Sequence, residues 1–349
     1  MKEKNNTLGR REFLQTTAMV AGAFALTPFQ AACAAAPGRK EGNRSDFGGV
    51  RIGAVAYSFR SLPSSAGDVL LYTLASGLGS LEMSGDIAEY YAGRPMAPQF
   101  GPQPRLEPGQ QLTPAQKSEQ NAIKAARQKY DEEVRAWRLS VPMSKYEQLG
   151  RVYRMAGVDI HILKLQPKEN MSDAELDYVF NACKAVGAAG VSTELSLKLA
   201  ERVAPFAEKH GKFLIFHNHG QFAKEDFPGY DAFLKFGDSV RFNFDMGHYY
   251  GYTGRDPREI VEKYHKHIFS IHLKDKTGPK SSPANSNTAF GEGETPLREF
   301  MLYIQRHAGK PGWPVHCDIE LEYDIPEGSD AIIQTTRCVE WVKNVLANR

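Results

Sequence analysis

The chain has 349 residues, 42% of them hydrophobic, which is enough for one α/β barrel of about 250 residues with extensions or for two smaller domains. Its formal net charge of +2 comes from the first 35 residues, where Lys2, Lys4, Arg10 and Arg11 face only Glu3 and Glu12, so the remainder is neutral. A neutral body argues against a polyanionic partner, because nucleic-acid domains carry a basic face.

Residues 9–15 read GRREFLQ, which resembles a twin-arginine export signal, and an uncharged, Ala-rich stretch runs from Thr16 to Ala36. This predicts a signal segment over 1–36 and an exported, periplasmic protein. Cys33 lies in FQAAC, an imperfect lipoprotein box because Gln30 stands where a Leu-like residue is usual. Membrane contact is expected only if Cys33 is lipidated. Residues 37–49 are polar and Gly-rich and read as a linker. Cys183, Cys317 and Cys338 form no CxxC pair and no disulfide framework. Cys183 and Cys317 read as small buried hydrophobes.

From there apolar runs and helical periodicities alternate. Strand 1 is predicted over Ile52–Ser58, a helix over Ala66–Gly77 and strand 2 over Ser80–Met83. An excursion over about 86–150 follows. Its Pro-rich part, Ala92–Pro114, is loop chemistry; Ala115–Leu139 and Ser144–Met155 read as helices. So long an insertion suits a wall or lid of a site. Strand 3 is expected over Asp159–Leu165, strand 4 over Val191–Leu195, strand 5 over Lys212–His217, strand 6 over Val240–Asp245, strand 7 over Ile268–Leu273 and strand 8 over Pro314–Glu320. Helical segments separate them, and Ser329–Leu346 closes the chain. Eight alternations predict a (β/α)8 TIM barrel over 50–349, with a long insertion between strands 2 and 3. No GxGxxG follows strand 1, so a dinucleotide fold has no support.

His217, Asp245, His272 and Glu320 each end an apolar run, at spacings of 28, 27 and 48 residues. One strand plus one helix takes roughly that many residues, so four polar groups recur at the C-terminal rim, where such barrels hold their sites. Two imidazoles and two carboxylates suit one divalent ion: Mn, Co, Fe, Zn or Mg. Glu322 faces the same way as Glu320 and is its rival, and Asp245 also reads as a helix N-cap. His219, two residues beyond His217, points with it if the strand continues. His248 sits in the loop after Asp245, while Lys274 and Asp275 follow His272.

The motifs FHNH (216–219), DMGH (245–248), HLKD (272–275) with GEG (291–293), and IELEY (319–323) resemble those of the xylose isomerase-like TIM barrel superfamily. That superfamily includes sugar isomerases and epimerases, inosose dehydratases and AP endonucleases. The resemblance spans roughly 50–348. It implies one divalent metal on His217, Asp245, His272 and Glu320, with His248 contacting substrate. The chain departs from the epimerases at strand 5, where His217 stands in place of a proton-transferring glutamate. Endonucleases of the superfamily need additional histidines at the ends of strands 2 and 3, and this chain has none there; His161 lies early in strand 3.

A metal at such a site acts as a Lewis acid on a ketone oxygen and acidifies the neighbouring C–H. His219 is the candidate base. Lys164, ending strand 3, would stabilise an oxyanion or protonate a leaving oxygen. Glu194, ending strand 4, would bind a substrate hydroxyl or fix the tautomer of a ligand histidine. Glu82, at the end of strand 2, is a candidate of the same kind. Lys274, Asp275 and Glu322 complete the expected substrate contacts. Tyr57, Phe59, Phe222, Tyr249 and Tyr250 are placed either to stack on a sugar or simply to pack. The expected function is a carbon–oxygen lyase or hydratase acting on a 3-keto-glycoside or keto-sugar. The alternatives are a sugar isomerase or epimerase, and a non-catalytic sugar-binding protein.

Overall fold

The computed structural model describes residues 44–100, 112–314 and 316–347. The signal segment, Cys33 and the first half of the linker lie outside them. Eight parallel strands form the core: β1 (Val50–Val55), β2 (Ser80–Ser84), β3 (Asp159–Lys164), β4 (Gly190–Glu194), β5 (Phe213–His217), β6 (Val240–Asp245), β7 (Ile268–Leu273) and β8 (His316–Ile319). Each pairs with its successor, and β8 pairs with β1, so the sheet closes into a (β/α)8 barrel. Asp46–Phe47 adds an antiparallel hook onto β1, so this part of the expected linker is sheet. Strand 1 also ends earlier than predicted. The chain turns into a 3-10 segment at Ala56–Phe59, which buries Phe59 and leaves Tyr57 exposed.

The surrounding helices begin where the sequence supplies caps. Helices α1 (Ala66–Ala75), α3 (Pro114–Ser140) and α5 (Asp173–Val186) open on capping boxes at Ser65, Thr113 and Ser172. Each cap contributes about 1 kcal/mol. Helix α2 (Gly85–Ala92) lies between β2 and the Pro-rich loop, inside the stretch the sequence left without an element. Helix α4 (Ser144–Met155) completes the excursion, and α6 (Leu197–His210) and α7 (Asp231–Leu234) follow β4 and β5. Helix α8 (Met246–Thr253) starts at Asp245, as the N-cap reading allowed, in place of the loop expected around His248; its sequence MGHYYG is poor in helix formers. Tertiary fit decides it. A Cβ on Gly247 would stand 2.4 Å from the Lys274 Cβ, so only glycine lets α8 pack against the end of β7. Helices α9 (Arg258–Tyr264), α10 (Leu297–His307) and α11 (Ala331–Ala347) complete the ring.

A buried carboxylate ties the insertion to the barrel. Glu89 on α2 is buried and accepts from Arg94 Nη1 and Arg138 Nε, both at 2.8 Å, and from the Tyr178 hydroxyl at 3.0 Å. Trp137 on α3 meets the Tyr178 ring edge-on at 6.1 Å. One carboxylate thus joins the loop, the long helix α3 and the barrel helix α5. Glu89→Leu is expected to cost about 2–4 kcal/mol, below the upper end for fully buried pairs because both guanidiniums keep some water. The urea midpoint measures this, and an unchanged midpoint would refute the role.

The barrel interior is more polar than a purely structural barrel requires. In its lower part, Asp318 lies 2.9 Å from His161 Nε2, and Ser80 Oγ lies 2.9 Å from His161 Nδ1. His316 stacks on His161 with ring centroids 4.4 Å apart. His161 is therefore a satisfied core residue far from the rim. Cys183, Cys317 and Cys338 are buried free thiols. Among the described residues no helix is long and apolar enough to cross a membrane.

Candidate metal centre and active site

Strand ends bring His217 (β5), Asp245 (β6), His272 (β7) and Glu320 (just beyond β8) together. Each offers one donor atom, and all four atoms lie within 4.8 Å of one another. His272 Nδ1 and Glu320 Oε2 are 2.9 Å apart, yet the contact is not a hydrogen bond of good geometry, and His272 Nδ1 has no hydrogen-bond partner. A buried imidazole nitrogen left so, within reach of three other donor atoms, fits a cation. Two nitrogens and two carboxylate oxygens suit a borderline divalent metal. Asp245 does two jobs. Its Oδ1 accepts from the His248 backbone N–H at 2.6 Å and caps α8, while its Oδ2 faces His217 Nε2 at 3.4 Å.

Beneath the quartet lies a supporting layer. Glu82 Oε2 sits 2.9 Å from His272 Nε2, and Asn243 Nδ2 donates to the same oxygen at 2.7 Å. Ser192 Oγ donates to Glu82 Oε1 at 2.9 Å. β2 runs on to Ser84 and leaves Glu82 mid-strand and fully buried. Of its two expected roles, substrate contact and fixing the tautomer of a histidine, the contact with His272 fits the second. Asn218 was missed by sequence reasoning. It points away from the two histidines that flank it, accepts from the Asp245 N–H at 2.9 Å and donates to the Asp245 carbonyl at 3.1 Å. Alternation puts the middle residue of His-Asn-His on the outer face, where a buried amide must find partners. That signal was available.

Lys274 is buried among four partners. Its Nζ lies 2.8 Å from Asp245 Oδ2, 2.9 Å from Glu320 Oε2, 2.8 Å from Glu322 Oε2 and 2.9 Å from His248 Nε2. The ammonium balances the carboxylates of the quartet instead of opening onto substrate. Burial opposes its charge, but Asp245, Glu320 and Glu322 raise its pKa above the ordinary lysine range. Burial opposes ionisation of Asp245 and Glu320, but His248 and Lys274 hold the first, and Lys274 and His272 the second, well below the usual carboxylate range. His248 lies in the first turn of α8 and is mostly buried. Burial and the nearby Lys274 outweigh Asp245 and push it down to about 3, so it is neutral.

Asp275 departs from expectation. It alternates with Lys274 and so faces away from the quartet. Its two oxygens accept from the backbone N–H groups of Lys276, Gly291, Gly293 and Thr295, and thereby hold the GEG loop. That leaves no free oxygen for a substrate.

The open side of the site is a cavity of about 550 Å³, bordered by His217, His219, Lys164, Glu320 and Glu322. That size suits a drug-sized or sugar-sized ligand. β5 ends at His217, yet the turn still brings the two rings together, centroids 4.6 Å apart and at 89°. Glu194 Oε2 lies 2.9 Å from His219 Nε2 and 3.4 Å from His217 Nδ1, and Glu194 Oε1 lies 3.2 Å from Lys164 Nζ. Burial opposes ionisation of Glu194, but both imidazoles and Lys164 hold its pKa far below the carboxylate range. Burial likewise opposes the Lys164 charge, and Glu82 and Glu194 raise it. Arg94 and Arg138 of the insertion also line the cavity, together with the half-exposed Tyr57. Sequence reasoning expected the insertion as a wall but named neither arginine. Phe59 and Tyr249 pack in the core.

His272 would set the pH dependence of metal uptake at such a centre. Burial lowers its pKa, but Glu320 and Glu82 outweigh this and raise it from 6.5 to about 10. In the metal-free fold the imidazolium therefore stabilises at pH below about 6.5, and that contribution is lost as pH rises through about 10. A metal ligand must be deprotonated, so uptake expels this proton. Metal affinity is expected to rise about tenfold per pH unit between 6.5 and 9. Calorimetry in buffers of differing ionisation heat measures the released proton, and a pH-independent affinity would contradict it.

Residues 188–338 match the family model of the xylose isomerase-like TIM barrel. No curated protein sequence matches the chain. Solved structures share its fold at low identity. One is a xylose isomerase domain protein from Alicyclobacillus acidocaldarius, with 13% identity, 85% of this chain and 98% of that one covered, and TM-score 0.56. Another is a D-psicose 3-epimerase from Clostridium cellulolyticum H10 (9%, 85% and 99%, TM-score 0.53). A probable 3-DHS dehydratase from Bacillus anthracis is similar in the same way (12%, 86% and 99%, TM-score 0.52).

Proposed function

We propose that the chain, whose residues 188–338 match the xylose isomerase-like TIM barrel model, is a metal-dependent carbohydrate enzyme that removes a proton from carbon beside a ketone. Within that class the reading is a carbon–oxygen lyase or hydratase acting on a 3-keto-glycoside or keto-sugar. The observation that carries it is the Glu194–His219 pair, 2.9 Å apart, whose imidazole borders the cavity beside the four-donor centre. A divalent ion held by His217, Asp245, His272 and Glu320 would supply Lewis-acid polarisation of a carbonyl. Glu194 accepts from His219 Nε2–H and leaves Nδ1 as the proton acceptor. Lys164, ion-paired to Glu194 on the same wall, is the donor available to a departing oxygen. Exchange of a proton at one carbon followed by loss of the β-oxygen needs this one base and one acid. Epimerisation needs proton donors on both faces, and an imidazole stands at the strand-5 position where the epimerases carry a glutamate. The export motif fits the same reading, since keto-glycosides, unlike sugar phosphates, are plausible substrates outside the cytoplasm.

Metal-loaded protein incubated with a 3-keto-glucoside in D2O tests this. Cleavage or glycal turnover is expected alongside deuterium incorporation. Incorporation without either would establish the isomerase reading and sink the lyase; binding without exchange or turnover would leave a sugar-binding protein.

A further inference from the structure

The four-donor centre uses only one ring nitrogen of His217. Nε2 faces Asp245 Oδ2, while Nδ1, on the other edge of the ring, faces Glu194 Oε2. The same Glu194 oxygen meets His219 Nε2. One donor atom each from Glu194, His217 and His219 falls within a 4.8 Å sphere of mutual separation, a second cluster adjoining the first. The two imidazoles stand at 89°, so their nitrogens converge on the carboxylate instead of stacking. Burial grades across the cluster. The His217 side chain is 1% exposed, while those of Glu194 and His219 are 43% and 45% exposed, and His219 borders the cavity. An ion can therefore enter from solvent, take three protein ligands and keep open positions for water. Two imidazoles and one carboxylate with open positions form a donor set suited to Zn, Co or ferrous iron.

We infer that Glu194, His217 and His219 form a second divalent-cation site that shares His217 with the inner centre. It binds more weakly than the inner one, for reasons of charge. It has one carboxylate against two, and Lys164 Nζ stands 3.2 Å from the other Glu194 oxygen. With both ions present His217 bridges them, and its Nδ1 proton passes to solvent. His219 coordinates through Nε2 and carries its proton on Nδ1. That removes the lone pair assigned above to proton abstraction, so the first equivalent of metal supports turnover and the second suppresses it. This last consequence rests on the proposed function; the site itself does not.

Metal-stripped full-length protein dialysed against increasing Zn2+ and analysed by elemental mass spectrometry tests the site. Wild type is expected to reach two ions per chain in two separated steps. His219→Ala and Glu194→Gln are each expected to stop at one, and that retained ion shows that the inner site, and with it the fold, is intact. Saturation of wild type at one ion, or two ions in His219→Ala, would overturn the site. Deuterium exchange followed along the same titration separates the two claims. Two bound ions with undiminished exchange would leave the site standing and remove His219 as the base. One bound ion with exchange would remove the site and leave the function standing.

Discussion

Asp245→Asn is expected to abolish inner-site metal binding and nearly all turnover while preserving the fold. The two carboxylate oxygens are divided between separate tasks. Oδ1 caps α8 through the His248 N–H, and Asn caps a helix as well as Asp does. Oδ2 carries the charge that faces His217, His272 and Lys274. Replacing it with an amide removes an anionic ligand and turns N–H donors toward a cation. Changing residues that merely orient metal ligands costs 10–100-fold in affinity, so loss of a ligand is expected to cost on the order of a hundredfold or more. Turnover should fall about a thousandfold, the scale of losing one electrostatic stabiliser. Lys274 keeps Glu320 and Glu322 as partners, so no buried ammonium is stranded. Elemental analysis and a thermal melt measured together decide the matter. Retained stoichiometric metal would remove Asp245 from the ligand set, and a collapsed melt would show that the cap is not preserved.

His219→Ala should separate proton transfer from inner-site binding. The side chain borders the cavity but contributes no atom to the four-donor centre. Inner-site metal should persist, while C–H exchange falls by a factor of roughly 10²–10⁴, the usual worth of a positioned general base. Glu194→Gln should fall less, because the amide still meets His219 but no longer fixes which nitrogen holds the proton. Exchange in His219→Ala within a few-fold of wild type would assign the base elsewhere, with Glu322 a further carboxylate on the cavity wall.

Much of this was legible without coordinates because the relevant information is local and periodic. Eight apolar runs at strand-plus-helix spacing dictate the barrel, and a polar residue closing each of the last four runs dictates a rim cluster. The residues that went astray share a different cause. Glu82 hangs on where β2 stops, and strand ends are set by pairing with neighbours: Ser84 pairs with Lys164 and carries the strand past Glu82. Asp275 hangs on a loop sixteen to twenty residues further on, whose N–H groups return to it. Helix α8 has weak intrinsic propensity and forms because Asp245 caps it and Gly247 fits over Lys274.

Chain-local pattern thus dictates the barrel, the place of the insertion and the residue types at the rim: two imidazoles and two carboxylates. The distribution of charge around them comes from folding. Folding put Lys274 among three carboxylates, set Glu82 behind His272, turned Asp275 away, and hung both His217 and His219 on Glu194. Side-chain period and spacing are properties of a single strand and can be read along the chain. Coulombic partnership falls off over a few ångströms and joins residues tens to hundreds of positions apart, so closing the barrel is what creates it.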